Sequence, residues 1–189
     1  MLAQVEALSL AFVACAGTNV DNVALLLSTG DPERARRFAQ LFFVILATVV
    51  LAALGLSFGV ELILPAFLAW VGIVPLAMGL FAFLPRKKTS GENPARAMSL
   101  IGTATLLGAN SLDTLAVQMA LFSDLATAYH AAALIGSLVS AALLSTTAFV
   151  LLSHPKGAVR LIPLASRARP WILIAVGILL LMDTGFDIQ

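Results

Sequence analysis

Six stretches of this 189-residue chain run for about 20 residues with almost no charge, at roughly 5–28, 37–59, 62–84, 98–122, 128–152 and 170–186. A helix needs about 20 mostly apolar residues to cross the hydrocarbon core of a bilayer, so each stretch is a candidate span. The chain is 60% hydrophobic and 11% charged, whereas an average soluble domain is about 25% charged. A soluble core of this size cannot hide so much apolar surface. The fold class is therefore all-α and integral to the membrane, with six transmembrane helices.

The charges support the count. Arg34, Arg36 and Arg37 fall in or beside the connection at 29–36, and Arg86, Lys87, Lys88 and Arg96 in that at 85–97. Lys156, Arg160, Arg167 and Arg169 fall in the segment 153–169, which accounts for all eleven Lys and Arg. With six spans these three connections share one side, and the positive-inside rule makes it the cytoplasm. Both termini then lie outside, in a multi-pass protein of the cell (inner) membrane. The remaining links are short, at Gly59–Glu61 and at 123–127. Pro65 suits the first turn of the third helix, and Pro75 is expected mid-helix, where it would kink the chain or mark where helices pack closely.

Several classes of function are excluded. Cys15 is the only cysteine, so neither an intramolecular disulfide nor a cysteine zinc cluster can form. No basic patch interleaved with aromatics points to nucleic acid. No phosphate-binding loop of the G-x-x-x-x-G-K-[ST] type is present, and no nucleophile and base lie at one depth, so neither ATP drive nor an enzyme is expected. No Lys or Arg precedes the first apolar segment, so a cleaved signal peptide is not expected.

Three carboxylates interrupt the apolar segments: Asp21, Asp113 and Asp183. A charge near the bilayer centre costs about 2.5 to 3.5 kcal/mol on insertion scales and calls for a reason. Asp21 has a counterpart. The stretch T-N-V-D-N-V-A-L at 18–25 aligns without gaps to N-S-L-D-T-L-A-V at 110–117. Each opens the first span of a three-helix half, and the two enter from opposite sides. This is the pattern of an inverted repeat, with one half at 1–84, a basic loop at 85–97 and the other half at 98–189.

Helical spacing places Thr18 on the face of Asp21 and Asn110 on the face of Asp113, with Asn19, Asn22, Ser111 and Thr114 flanking. Carboxylate, amide and hydroxyl oxygens suit a hard or borderline divalent cation, and two carboxylates bring a +2 ion close to neutrality. The candidate metal ligands are thus Asp21, Asp113, Thr18, Asn19, Asn22, Asn110 and Asp183. The metal ion would be cargo, with no resident cofactor. Taken singly, Asn19, Asn22 and Thr114 equally fit groups that only tie helices together by hydrogen bonds. Asp183, near a segment end, also fits a residue in interfacial water. Gln40 and Gln118 are expected as interhelical donors. Cys15 fits close packing, or with Met119 a soft sulfur ligand for a cadmium-like ion, and His130 and His154, which lack companions at ligand spacing, are expected to be structural. Gly72, Gly79, Gly136 and Gly177 leave room for close helix contacts within one chain or between copies, so a homo-oligomer stays open.

These residues resemble the cadmium-resistance transporter family, a branch of the lysine-exporter superfamily. The resemblance runs over nearly the whole length. It is carried by A-G-T-N-V-D-N-V-A-L-L-L at 16–27, W-V-G-I-V-P-L-A-M-G-L at 70–80, G-A-N-S-L-D-T-L at 108–115 and R-P-W-I-L-I-A-V-G-I-L-L-L-M-D-T-G at 169–185. It implies six spans and export of a divalent cation from the cytoplasm, with carboxylates on the first and fourth helices at Asp21 and Asp113. Family members often place the second acidic residue directly after a small G-A or G-G pair. Here Asn110, Ser111 and Leu112 intervene, which looks more like manganese-exporting relatives of the superfamily. The expected function is export of a cadmium-, manganese- or zinc-like ion, coupled to protons or to the membrane potential. The alternative is export of amino acids or other small cationic solutes.

Overall fold

In the computed structural model, residues 2–29, 32–63, 72–81, 99–153, 167 and 170–182 are described. Among them the chain is all helical. Helix α1 is Leu2–Thr29 and, after a short 3-10 turn at Pro32–Arg34, α2 is Ala35–Ile63. Helix α3 is Ile73–Phe81, α4 Leu100–Asn110 and α5 Leu112–Asp124; a 3-10 turn at Thr127–Tyr129 leads into α6, His130–Ser153. The last described helix, α7, is Pro170–Met182.

Helices α1, α2 and α6 are long and apolar enough to cross a membrane, and α4 with α5 makes a fourth if that bent pair is one span. The described parts of the expected third and sixth spans, α3 and α7, are shorter. An apolar core also buries polar groups, while large apolar side chains lie on the outside. Val44, Leu51, Ile101, Leu143 and Met182 are exposed, while Thr18, Asn19, Asn22, Thr114, Gln118 and Ser137 are buried. Apolar residues outside and hydrogen-bonded polar residues inside fit a membrane-embedded protein.

Three expectations change. The link at Gly59–Glu61 does not form, because α2 continues through it to Ile63; a single helical glycine costs only about 1 kcal/mol. Pro75 stands in the first turn of α3, where the missing N–H has no partner to lose. The fourth span is not one straight helix: α4 and α5 meet at Ser111 with a bend of 43°. Pro65, the basic loop 85–97 and His154 lie outside the described residues.

Small residues set the packing. A methyl on Gly136 of α6 would overlap the Leu8 carbonyl of α1, so the two backbones touch there. On α3, Gly72 meets Gly177 and Leu181 of α7, and Gly79 meets Ile174 and Pro170, so these helices run antiparallel in close contact. All four glycines singled out in the sequence thus serve contacts within the chain. Helix α2 ends beside the start of α6, where the Phe58 ring meets the His130 ring edge-on at 5.4 Å.

Candidate functional site

The two aligned motifs come together. On α1, Ala11, Thr18 and Asn22 recur at helical spacing, and on α5, Thr114 and Gln118 continue a stripe that begins at Ser111. Asn22 Nδ2 donates to Ser111 Oγ at 3.3 Å, and Thr114 Oγ1 donates to Thr18 Oγ1 at 3.1 Å. Further along, Gln118 Nε2 donates to the Ala11 carbonyl at 3.2 Å. Partners fall along α5 as they rise along α1, so α1 runs antiparallel to α4 and α5.

Within α1 the bonds form a directed relay. Asn22 Nδ2 donates to Asn19 Oδ1 at 2.8 Å, and Asn19 Nδ2 donates to Thr18 Oγ1 at 3.1 Å and to the Cys15 carbonyl at 2.8 Å. Thr18 in turn reaches the Ala14 and Cys15 carbonyls, both at 3.1 Å. Every amide hydrogen of Asn19 and Asn22 thus has an acceptor. Asn22 Oδ1, in contrast, is buried with no hydrogen-bond partner among the described residues. A buried unmet acceptor costs about 1–3 kcal/mol.

Ser111 makes the second motif. It caps both α4 and α5, and its hydroxyl donates back to the Leu107 carbonyl at 2.8 Å. Such a bond to the carbonyl four residues earlier bends helices. The break also directs the carbonyl end of α4 and the amide end of α5 toward the same depth as the cluster. Asp113, in the first turn of α5, accepts from the Thr114 backbone N–H at 2.8 Å.

The predicted ligands separate into groups. Thr18, Asn19 and Asn22 form the buried relay. Asp21 and Asp113 are half-buried, each next in sequence to a cluster residue, Asn22 and Thr114. Thr18 and Asp21 therefore do not share one depth of burial, although three residues apart. Asn110 is exposed at the end of α4, because the face it was expected to share with Asp113 is interrupted at the bend. Asp183 lies outside the described residues. Ser111 and Ser137 carry contacts that the sequence reading did not assign. The signal for Ser111 was its position three and seven residues before Thr114 and Gln118; Ser137 offered none beyond a small polar residue in an apolar run.

The residues outside the cluster behave as packing groups. Cys15 is fully buried against α6. His130 Nε2 lies 2.8 Å from the Phe122 carbonyl and 2.9 Å from that of Leu125, tying the end of α5 to the start of α6. Gln118 is the interhelical donor expected, whereas Gln40 is exposed and lines a cleft between α2 and α6 with Arg36, Thr146 and Phe149. Among the described residues no group of three or more His, Cys, Asp or Glu gathers around one point; the bonded cluster is built of amides and hydroxyls. No protein-family model, curated protein or solved structure matches the chain.

Proposed function

We propose that this chain is a secondary transporter that exports a divalent metal cation from the cytoplasm through a site flanked by Asp21 and Asp113. The observation that carries this reading is the cross-helix cluster itself. It joins the two aligned motifs, and within it Asn22 Oδ1 is a buried acceptor with no partner among the described residues. A cation bound there would supply what that oxygen lacks. The adjacent carboxylates would offset its charge, and Thr18 and Asn19 would orient the amide. The break at Ser111 supports the same reading, because half-helix ends at mid-membrane are a recurrent way to hold ions in transporters.

The antiparallel register of α1 against α4 and α5 supports an inverted repeat of two three-helix halves. With the segregation of basic residues, it favours six spans with both termini outside. Membership of the cadmium-resistance transporter family, and an ion of the cadmium, manganese or zinc kind, are part of this proposal. The rival reading, an exporter of amino acids or small cationic solutes, draws on the absence, among the described residues, of a group of three His, Cys, Asp or Glu, since one carboxylate suffices for an ammonium group.

The test is metal flux in proteoliposomes for Cd, Mn, Zn, Co and Mg, with the unaltered protein beside Asp21→Asn and Asp113→Asn. Metal-dependent flux that falls to the empty-liposome rate in both variants is the expected result. If no ion moves while all three proteins remain folded, the metal reading is lost and the solute exporter takes its place.

A further inference from the structure

The stripe carrying Asn22 and Thr18 continues toward the start of α1 and meets a second polar contact there. Gln118 lies one turn beyond Thr114 on α5 and touches three helices. Its Nε2 donates to the Ala11 carbonyl of α1 at 3.2 Å, and its Oε1 accepts from the Ser137 hydroxyl of α6 at 3.1 Å. Ala11, Gln118 and Ser137 are all 0% exposed. Val117, Ala14 and Leu121 close the surrounding space with apolar side chains.

The chain's single cysteine lies just past this contact. Cys15 is one turn beyond Ala11 on α1, and it faces Ser140, one turn beyond Ser137 on α6. Leu8 meets Gly136 in the same order, so α1 and α6 run parallel. From the start of α1 the order along this seam is therefore the Gln118 contact, then Cys15, then Thr18.

We propose that the Gln118 bridge is the outer closure of the transport route, and that Gln118 is the residue whose release opens the Asp21–Asp113 cluster to the outside. This rests on the transporter reading above. In that reading α1 belongs to the first half and α5 and α6 to the second, so a bond joining them must break when the halves move against each other. The opposite end of the seam is built differently. The alignment that sets Asp21 on Asp113 sets Leu26 on Gln118, and Leu26 is fully buried among Phe42, Leu46 and Leu107. Among the described residues, the outer end is held by side-chain hydrogen bonds and the other by apolar packing, which makes Gln118 a positioning residue for opening.

Cys15 supplies its own reporter. Membrane vesicles of both orientations would be treated with a membrane-impermeant cationic methanethiosulfonate, and modification of Cys15 followed over time. Slow modification from the side of the α1 start is expected for the unaltered chain. Gln118→Ala should raise that rate at least tenfold while leaving the rate from the opposite side unchanged, and Cys15→Ala should abolish the signal. Ser137→Ala, which removes one of the two bonds at nearly constant volume, should give an intermediate rise and serves if Gln118→Ala does not fold. An unchanged rate in both variants overturns the proposal, as does an equal rise from both sides, which would mean general loosening. The readout needs no transported ion. Sided labelling without metal flux would therefore leave the closure standing and remove only the metal reading.

Discussion

Thr18 and Thr114, 96 positions apart in the chain, meet hydroxyl to hydroxyl at 3.1 Å. Thr18 accepts from Asn19 as well as from Thr114, so it closes two bonds where Thr114 Oγ1 closes one across the helices. Hydrogen bonds between membrane helices average about 0.6 kcal/mol and reach about 1.7. Thr114→Val should therefore lower the unfolding free energy in detergent by an amount in that range, and Thr18→Val by more. Denaturation followed by circular dichroism checks the order; a larger loss at Thr114 would contradict the relay.

Asn22 separates holding helices together from holding an ion. Asn22→Leu removes its donors to Asn19 and Ser111 along with the unmet oxygen. Asn22→Asp keeps an oxygen at that place. On the metal-site reading, Asn22→Leu should raise the KM for the metal about tenfold or more, equivalent to about 1.4 kcal/mol, whereas Asn22→Asp should retain flux. Equal loss in the two variants would reduce Asn22 to a packing role.

Ser111→Ala deletes the hydroxyl that bonds the Leu107 carbonyl and leaves the volume nearly unchanged. If that bond sustains the bend, the 43° angle between α4 and α5 should decrease. Spin labels near Ile101 and Phe122, read by pulsed electron resonance, should then move apart. An unchanged distance would assign the bend to tertiary packing alone.

Gly136 and Gly55 should respond in opposite directions to alanine. A methyl at 136 overlaps the Leu8 backbone carbonyl, which cannot swing away; overpacking of this kind costs about 1–3 kcal/mol. Nothing lies within 4 Å of a Cβ built on Gly55 in α2, where alanine gains roughly 0.5–1 kcal/mol of helix preference. Unfolding of both variants under one condition tests the contrast.

His130→Leu should destabilise the α5–α6 corner by about 1–3 kcal/mol, because it leaves the Phe122 and Leu125 carbonyls without the ring N–H between them. Earlier hydrogen exchange at the end of α5, with α2 unaffected in its middle turns, is the expected signature.

The expected first segment, 5–28, becomes Leu2–Thr29, and the fifth, 128–152, becomes His130–Ser153. Those helices were legible because crossing lipid demands an unbroken apolar run whose backbone groups all bond internally. That the T-N-V-D-N and N-S-L-D-T stretches stand apart from the apolar runs was legible too, since polar residues there are rare; the structure brings the two into contact. The interruption at Ser111 was not. Hydropathy is blind to a bend made by one hydroxyl and one carbonyl, and helical spacing carried across it placed Asn110 beneath Asp113 when it stands exposed.

Residue types by themselves determined that this chain consists of apolar helices with a few costly polar groups, because transfer free energy depends on composition and length. Tertiary structure decided which polar groups met. It set Thr18 against Thr114 and Asn22 against Ser111, drew Gln118 between Ala11 and Ser137, and left both aspartates half-buried. It also assigned the close glycine contacts to helices of one chain. Partner choice depends on how helices cross, and crossing is fixed by small residues and backbone approach over long sequence separations, which no local pattern encodes.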